Sequence, residues 1–411
     1  MRISQELSFD VSRKRVLYIM TKTFRIRNNY SLQEAVNYQK RRGLQLQTAI
    51  IEPQEESRMA FDFFRLNSSD LLERLQTFNS QVFYLDQKQV QDLIHDDIEA
   101  IFMDFSYLRA DIRLFNTIMN LANDLSINLF QVESNIFVPI KDASDHEEYG
   151  AFTIRRKIHK LMPYYESEVL SDARSTIGEK KALKLLDQFI EKKLPFYAQH
   201  HDPSKQYTSR LSTHLKFGFI SPVTIYHILK PLGENVKRDF LEQLIVRREL
   251  AYNYVYYNPN YDKFSKMTEK WAYRTMKDHA SDTREYVYSI SDYVHFKTHD
   301  PYFNAAMKEM VYKGYMHNYM RMYWAKKIIE WSKTYKEAYD TIIKLNNRYL
   351  MDGLTPNGYA GVAWCFGKHD RPWRDIKIFG KLRYMNDNGL RKKFDIDLYV
   401  KHMDFIEKES K

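Results

Sequence analysis

The chain has 411 residues, more than one typical hydrophobic core accommodates, and 44% hydrophobic with 28% charged residues excludes a disordered chain in favour of two or three folded domains. A net charge of +10 favours phosphate-rich partners or acidic surfaces. One cysteine, Cys365, excludes an internal disulfide and any multi-cysteine zinc or iron–sulfur site, and fits a reducing, intracellular setting.

From the N-terminus, the first twenty residues lack the apolar stretch and cleavage site of a secretory signal. No later apolar run nears the roughly 18–20 residues of a membrane span. Neither secretion nor a membrane partner is expected. Val16–Met20 is a short apolar run of buried-strand type, and Ser31–Arg42 places Leu32, Ala35, Val36 and Tyr38 at helical spacing. Leu46–Ile51, Val82–Leu85, Ala100–Asp104 and Leu129–Val132 are further strand candidates separated by helical stretches. Residues 1–150 are therefore expected to form an α/β domain with a doubly wound parallel sheet. Its only glycines are Gly43 and Gly150, which excludes a GxGxxG turn and a P-loop. Residues 151–175 are expected as a linker. Residues 176–411 are expected as an all-α domain, with Asp239–Tyr257 amphipathic and Asn304–Ser332 one long stretch rich in Met, Tyr and Trp.

Three clusters in the helical part carry chemistry. In Tyr207–Ser212, hydroxyls beside Arg210 near a helix start suit a phosphate, or simply a helix cap with a solvated arginine. In Gly314–Trp331, Asn318, Arg321 and Met322 share a helix face, and Trp324 and Trp331 stand two turns apart, as a core stripe or a redox path. In Asp352–Trp364, a loop enters a helix; Asp352 suits a ring N–H or a cap, and Trp364 suits stacking on a base. Downstream, His369–Trp373 and Phe379–Tyr384 mix cations with aromatics, which suits nucleic acid. Aromatics at 15% fit core filling or the stacking of flat ligands equally well.

Several long motifs follow one another in fixed order: Phe240–Leu250 (FLEQLIVRREL), Thr298-His-Asp300, Met320–Trp331, Pro356–Tyr359, Phe379–Met385 and Lys393-Phe-Asp395. Together they resemble the photolyase/cryptochrome superfamily, most closely the class II cyclobutane pyrimidine dimer photolyases, over nearly the whole chain. The resemblance implies that the helical domain binds FAD. Thr208, Ser209, Arg210, Leu211 and Ser212 would cradle its phosphates and Arg247 would join the cofactor-binding set. Asn318, Arg321 and Asp352 would border the isoalloxazine, with Asn346 near N5. It further implies light-driven repair of a dimer flipped out of damaged double-stranded DNA by a single protomer. Met322 and Trp364 would pack on the lesion, Gln243 would hydrogen-bond it, Trp324 and Trp331 would carry electrons, and Arg371, Lys381 and Arg383 would face DNA. An antenna chromophore of unspecified identity would belong to the N-terminal domain.

The chain departs from the family pattern at instructive places. Gln243 replaces a glutamate, and an amide supplies neither a proton nor a negative charge. Phe303 replaces a tryptophan between Trp324 and Trp331, and its neighbour Tyr302 is expected to point elsewhere on a helix. Leu354-Thr355 replaces an Arg-Asp pair, and Asn318 stands where class II members often have glycine. These departures keep open a second expectation: a photolyase-like light sensor, or a DNA-binding paralogue with lost or weak repair.

Overall fold

The computed structural model describes residues 2–410. Six strands form one sheet: β1 (Ile3–Leu7), β2 (Arg15–Met20), β3 (Gln45–Ile51), β4 (Ser80–Leu85), β5 (Ile98–Asp104) and β6 (Asn128–Val132), in the order β1-β6-β5-β2-β3-β4. All neighbours are parallel except β1, which pairs antiparallel with β6. β2 and β5 are apolar along nearly their whole length because helices cover both faces of the sheet. β1 is absent from the sequence expectation. Its ISQEL sequence is polar and only half-buried, as an edge strand permits.

The chain order reverses between β2 and β5, the position where doubly wound sheets open a crevice. Here the Asp104 carboxylate closes the strand ends. Its Oδ2 accepts from the backbone N–H groups of Thr21, Lys22 and Thr23 at 2.9, 2.8 and 2.9 Å, and its Oδ1 accepts from the Tyr18 hydroxyl at 3.0 Å. The remaining crevice is a cavity of about 40 Å³. The ion pairs Lys22–Asp111 (3.0 Å) and Lys216–Glu55 (2.6 Å) line it. As arranged, it is too small for a planar ring system.

The first fifteen positions of residues 151–175 form a helix, Ala151–Tyr165. Its Ile154 and Ile158 are buried in one apolar cluster with Phe137, Ala182, Leu186 and Leu244. The segment therefore packs among the helices and against the chain that follows β6. A buried arginine completes the seam. Arg25, 1% exposed, donates from Nη1 to Asn135 Oδ1 (2.6 Å) and the Gly218 carbonyl (2.8 Å), and from Nη2 to the Asn28 (2.8 Å) and Ser134 (2.6 Å) carbonyls. Gly218 has φ +64° and approaches so closely that a Cβ there would lie 2.3 Å from the Lys22 carbonyl oxygen. Only glycine fits both demands.

The rest of the chain is helical around a core dominated by Met, Tyr, Phe and Trp side chains, including Trp324 and Trp331. The amphipathic stretch expected over Asp239–Tyr257 is not one α-helix. An α-helix at Glu234–Leu241 passes into a π-helix at Glu242–Arg247 and then an α-helix at Arg248–Tyr257. Apolar spacing does not distinguish the two windings over a single turn, so this feature was invisible in sequence. Among the described residues no helix is long and apolar enough to cross a membrane.

Candidate functional site: a deep cavity in the helical domain

A cavity of about 1080 Å³ opens among the helices, at the upper end of the roughly 300–1,000 Å³ typical of small-molecule sites. It gathers residues far apart in sequence. Thr208–Ser212, Gln243, Arg247, Asn318, Arg321, Met322, Trp324, Asn346, Asp352, Trp364 and Arg383 all line it. Trp331, Arg371 and Lys381 do not.

One wall is the Thr208–Ser212 segment ahead of the short helix Ser212–Lys216. Arg210 adopts φ +60°, uncommon for a side-chain-bearing residue. Its guanidinium lies 3.4 Å from the centroid of the Tyr315 ring, and Thr208 Oγ1 lies 3.2 Å from the Tyr315 hydroxyl. No side-chain cap bonds the start of the Ser212–Lys216 helix, so the hydroxyls of this segment are not committed as N-caps there.

The second wall is the Asn318–Trp331 helix facing the turn after Tyr335–Tyr349. Arg321 Nη2 donates to both Asp352 oxygens, at 3.0 and 3.3 Å, with the two side chains 17% and 15% exposed. Arg321 Nε is buried without a partner. Asp352 is not the cap of the following helix. Thr355 is: its Oγ1 accepts from Gly358 N–H at 3.2 Å and donates to the Asp352 carbonyl at 2.9 Å. This leaves the Asp352 carboxylate for Arg321 and the cavity. Asn346 is buried, its Nδ2 donating to Asn347 Oδ1 at 3.1 Å.

The third wall is the π-turn, which turns Gln243, Leu244 and Arg247 toward the space. π-turns recur at functional sites because the extra residue redirects the helix surface. Arg248, quoted in sequence only as part of a motif, also lines the cavity. It is buried and holds the Tyr252 hydroxyl at 3.0 Å through Nη2, while its Nη1 has no partner. His200, His201 and Tyr315 are further lining residues that sequence reasoning missed, since nothing in their spacing marks them.

The floor holds Met322, Trp364 and Cys365, with the Cys365 thiol 3.7 Å from Met322 Sδ. Near the mouth, Arg383 is not a free cation. Its Nε and Nη2 bond Asp370 at 2.8 and 3.1 Å, and its guanidinium lies 4.0 Å from the Trp373 ring centroid and 5.4 Å from that of Trp364. Arg371 and Lys381 are exposed on the same loop region. Behind the cavity, the Trp324 indole N–H donates to Met307 Sδ at 2.9 Å. Trp331 packs on Phe303, Tyr288 and Tyr293. Tyr302 faces away as its position predicts, bonded to Asp397 and Arg391 at 3.0 and 2.9 Å.

The cavity thus offers hydroxyl and cationic donors along one side, an arginine–carboxylate pair with an open N–H, and an aromatic floor. That set fits a long ligand carrying phosphates at one end and a flat heterocycle at the other, with room left at the mouth.

No protein-family model matches the chain. Its architecture is that of the photolyase/cryptochrome fold. The cryptochrome of Synechocystis sp. PCC6803 superimposes with a TM-score of 0.77 over 96% of this chain and 89% of that chain at 13% identity. The archaeal photolyase of Sulfolobus tokodaii, solved with two FAD molecules, gives 0.71 over 96% and 93% at 16% identity. In sequence, the chain is 44% identical over 336 residues to the deoxyribodipyrimidine photo-lyase of Methanothermobacter thermautotrophicus, covering 74% of each. The chain belongs to the deoxyribodipyrimidine photolyase family.

Proposed function

We propose that this protein binds FAD in the large cavity and repairs cyclobutane pyrimidine dimers in DNA under light, in the manner of class II photolyases. The observation that carries the reading is the convergence on one cavity of the Thr208–Ser212 donors, the Arg321–Asp352 pair and the Gln243, Met322 and Trp364 surface. Bound there in reduced form, FAD would supply the light-driven, reversible electron donation that dimer cleavage needs.

The chain's own residues do the rest. Thr208–Ser212 and Arg247 hold the phosphates by side-chain and backbone donors. Arg321, with its open Nε, borders the isoalloxazine and favours its anionic form, while Asp352 fixes the guanidinium and accepts from the ring edge. Asn346 would stand on the N5 side of the ring. The lesion leaves the duplex at low unstacking cost because a damaged pair is already weakened. It then packs on Trp364 and Met322. Gln243 hydrogen-bonds it as donor and acceptor without transferring a proton. Arg371 and Lys381, exposed outside the cavity, engage phosphates of the flanking duplex, and Arg383 braces the rim. One protomer contains every element of this scheme.

Gln243 and Phe303 favour a second reading, a light sensor on the same scaffold. The deciding experiment is anaerobic repair with chemically reduced flavin, blue light and an oligonucleotide containing thymine dimers. Light-dependent loss of dimers is expected. Persistence of dimers alongside a retained flavin would establish the sensor reading instead.

A further inference from the structure

Lys326 lies on the Asn318–Trp331 helix, one turn beyond Met322, and is 1% exposed. Its ammonium donates to the Cys365 carbonyl oxygen at 2.5 Å. Among the described residues it has no carboxylate partner within ion-pair distance. A buried ammonium without a counter-charge is costly, so its surroundings call for a reason. They consist of aromatic faces: Nζ lies 5.7 Å from the Trp364 ring centroid and 6.0 Å from that of Phe379.

The Cys365 carbonyl belongs to the last residue of the Pro356–Cys365 helix, so Lys326 caps the negative end of the helix that presents Trp364. Trp364 has a second cation, Arg383, within 5.4 Å of its ring centroid, but Asp370 neutralises that one. Lys326 therefore supplies the uncompensated positive charge behind Trp364. Trp364 itself lines the cavity beside Met322.

We propose that Lys326 is a positioning residue that holds Trp364 in place and makes the lesion-packing wall electropositive. The inference deepens the reading of this wall as the lesion pocket and rests on it. A pyrimidine dimer packed on Trp364 presents carbonyl oxygens, and it carries added negative charge while an electron is lent to it. A cation behind the ring attracts both, yet it offers the bases no donor that competes with Gln243. The electron returns, so Lys326 neither gains nor loses a proton in the cycle.

The charge is also titratable. Burial pushes the Lys326 ammonium down to about 8. The titratable and charged groups acting on it are the Cys365 thiol, itself pushed up to about 11 by burial, and the Asp370–Arg383 pair on the loop beyond. The wall is thus positive at neutral pH and loses its charge above about 8.

The test compares wild type, Lys326→Met, Lys326→Gln and the control Lys327→Met, whose lysine is paired with Glu330 at 2.9 Å. Two readouts are taken between pH 6 and 10. The first is the preference for a duplex with one thymine dimer over the undamaged duplex. In wild type and Lys327→Met it should fall about threefold to tenfold as pH rises through 8, as expected for loss of one cation–ring attraction. In both Lys326 variants it should be low and flat; a wild-type profile in either overturns the proposal. The second readout needs no DNA: the difference in indole emission between wild type and Trp364→Phe. It should titrate near pH 8 in wild type and lose that step in the Lys326→Gln background, where a neutral donor to the Cys365 carbonyl remains. An unchanged step there overturns the proposal. If wild type shows no dimer preference while the emission step behaves as expected, the lesion reading fails and the Lys326–Trp364 coupling stands.

Discussion

The Phe303 ring meets Trp331 edge to face, with centroids 5.0 Å apart and planes at 64°. A ring that is hard to oxidise therefore occupies the place beside Trp331 where the family resemblance implies an indole. Tyr293 lies 5.1 Å from Phe303 and Tyr288 lies 5.2 Å from Trp331, so tyrosines flank this pair. Phe303→Trp should speed photoreduction of oxidised flavin several-fold, measured by the bleaching of its absorbance under blue light. Overpacking a fully buried site should cost about 1–3 kcal/mol of stability. An unchanged rate in a folded variant would mean that electrons already pass through the tyrosines.

Arg321 and Asp352 hold each other at 3.0 Å and leave one guanidinium N–H open. Arg321→Leu strands the largely shielded Asp352 carboxylate, and Asp352→Asn keeps the shape without the charge. Flavin retention through gel filtration should fall strongly in Arg321→Leu and modestly in Asp352→Asn. Unfolding should show a loss of about 2–4 kcal/mol in the former. Equal retention in all three proteins would remove this pair from the cofactor site.

The His317 ring is held neutral by geometry. Its Nε2 lies 2.9 Å from the His200 carbonyl and donates to it, and its Nδ1 accepts from Tyr319 N–H at 3.2 Å as the cap of the Asn318–Trp331 helix. Burial pushes its pKa down to about 4. Between that value and the ordinary 6.5, the unfolded chain binds a proton that the folded chain refuses. The contribution is fully present above about 6.5 and is lost as pH falls toward 4, at about 1.4 kcal/mol per pH unit. Urea midpoints should decline over that window, and His317→Asn, which caps without titrating, should flatten the decline. A slope identical to wild type would assign the acid sensitivity to His214 or His369, whose pKa values burial also lowers to about 4.

Arg371 and Lys381 are exposed, whereas Arg383 is committed to Asp370. The logarithmic salt dependence of DNA affinity should lose about 0.9 of slope in each of Arg371→Ala and Lys381→Ala. In Arg383→Ala the loss of affinity should instead accompany greater mobility of Trp373, because Asp370 loses its partner. Equal slopes in all variants would place the duplex on another surface.

Much was legible in sequence because it depends on local chemistry. The apolar runs of β2, β3 and β5 announce a sheet buried on both faces, and Asn29 caps the helix that the spacing of Leu32, Ala35 and Val36 predicts. The motif that carries Arg321 is long enough to be recognised, and the cluster from Asp352 to Trp364 follows it in order. What they touch was not legible. β1 is too polar to stand out, and the π-turn under Gln243 shares its apolar pattern with an α-helix.

The chain alone therefore pointed to an α/β part followed by a helical part, to the family likeness and to many of the residues that line the cavity, since these follow from residue type, period and order. Only the tertiary structure decided which side chains are free to act. Thr355 rather than Asp352 caps a helix, Arg383 is spoken for by Asp370, and Lys326 is buried with no carboxylate within ion-pair distance among the described residues. Each of these depends on contacts between residues distant in sequence, where burial and the nearest counter-charge, rather than local spacing, set the chemistry.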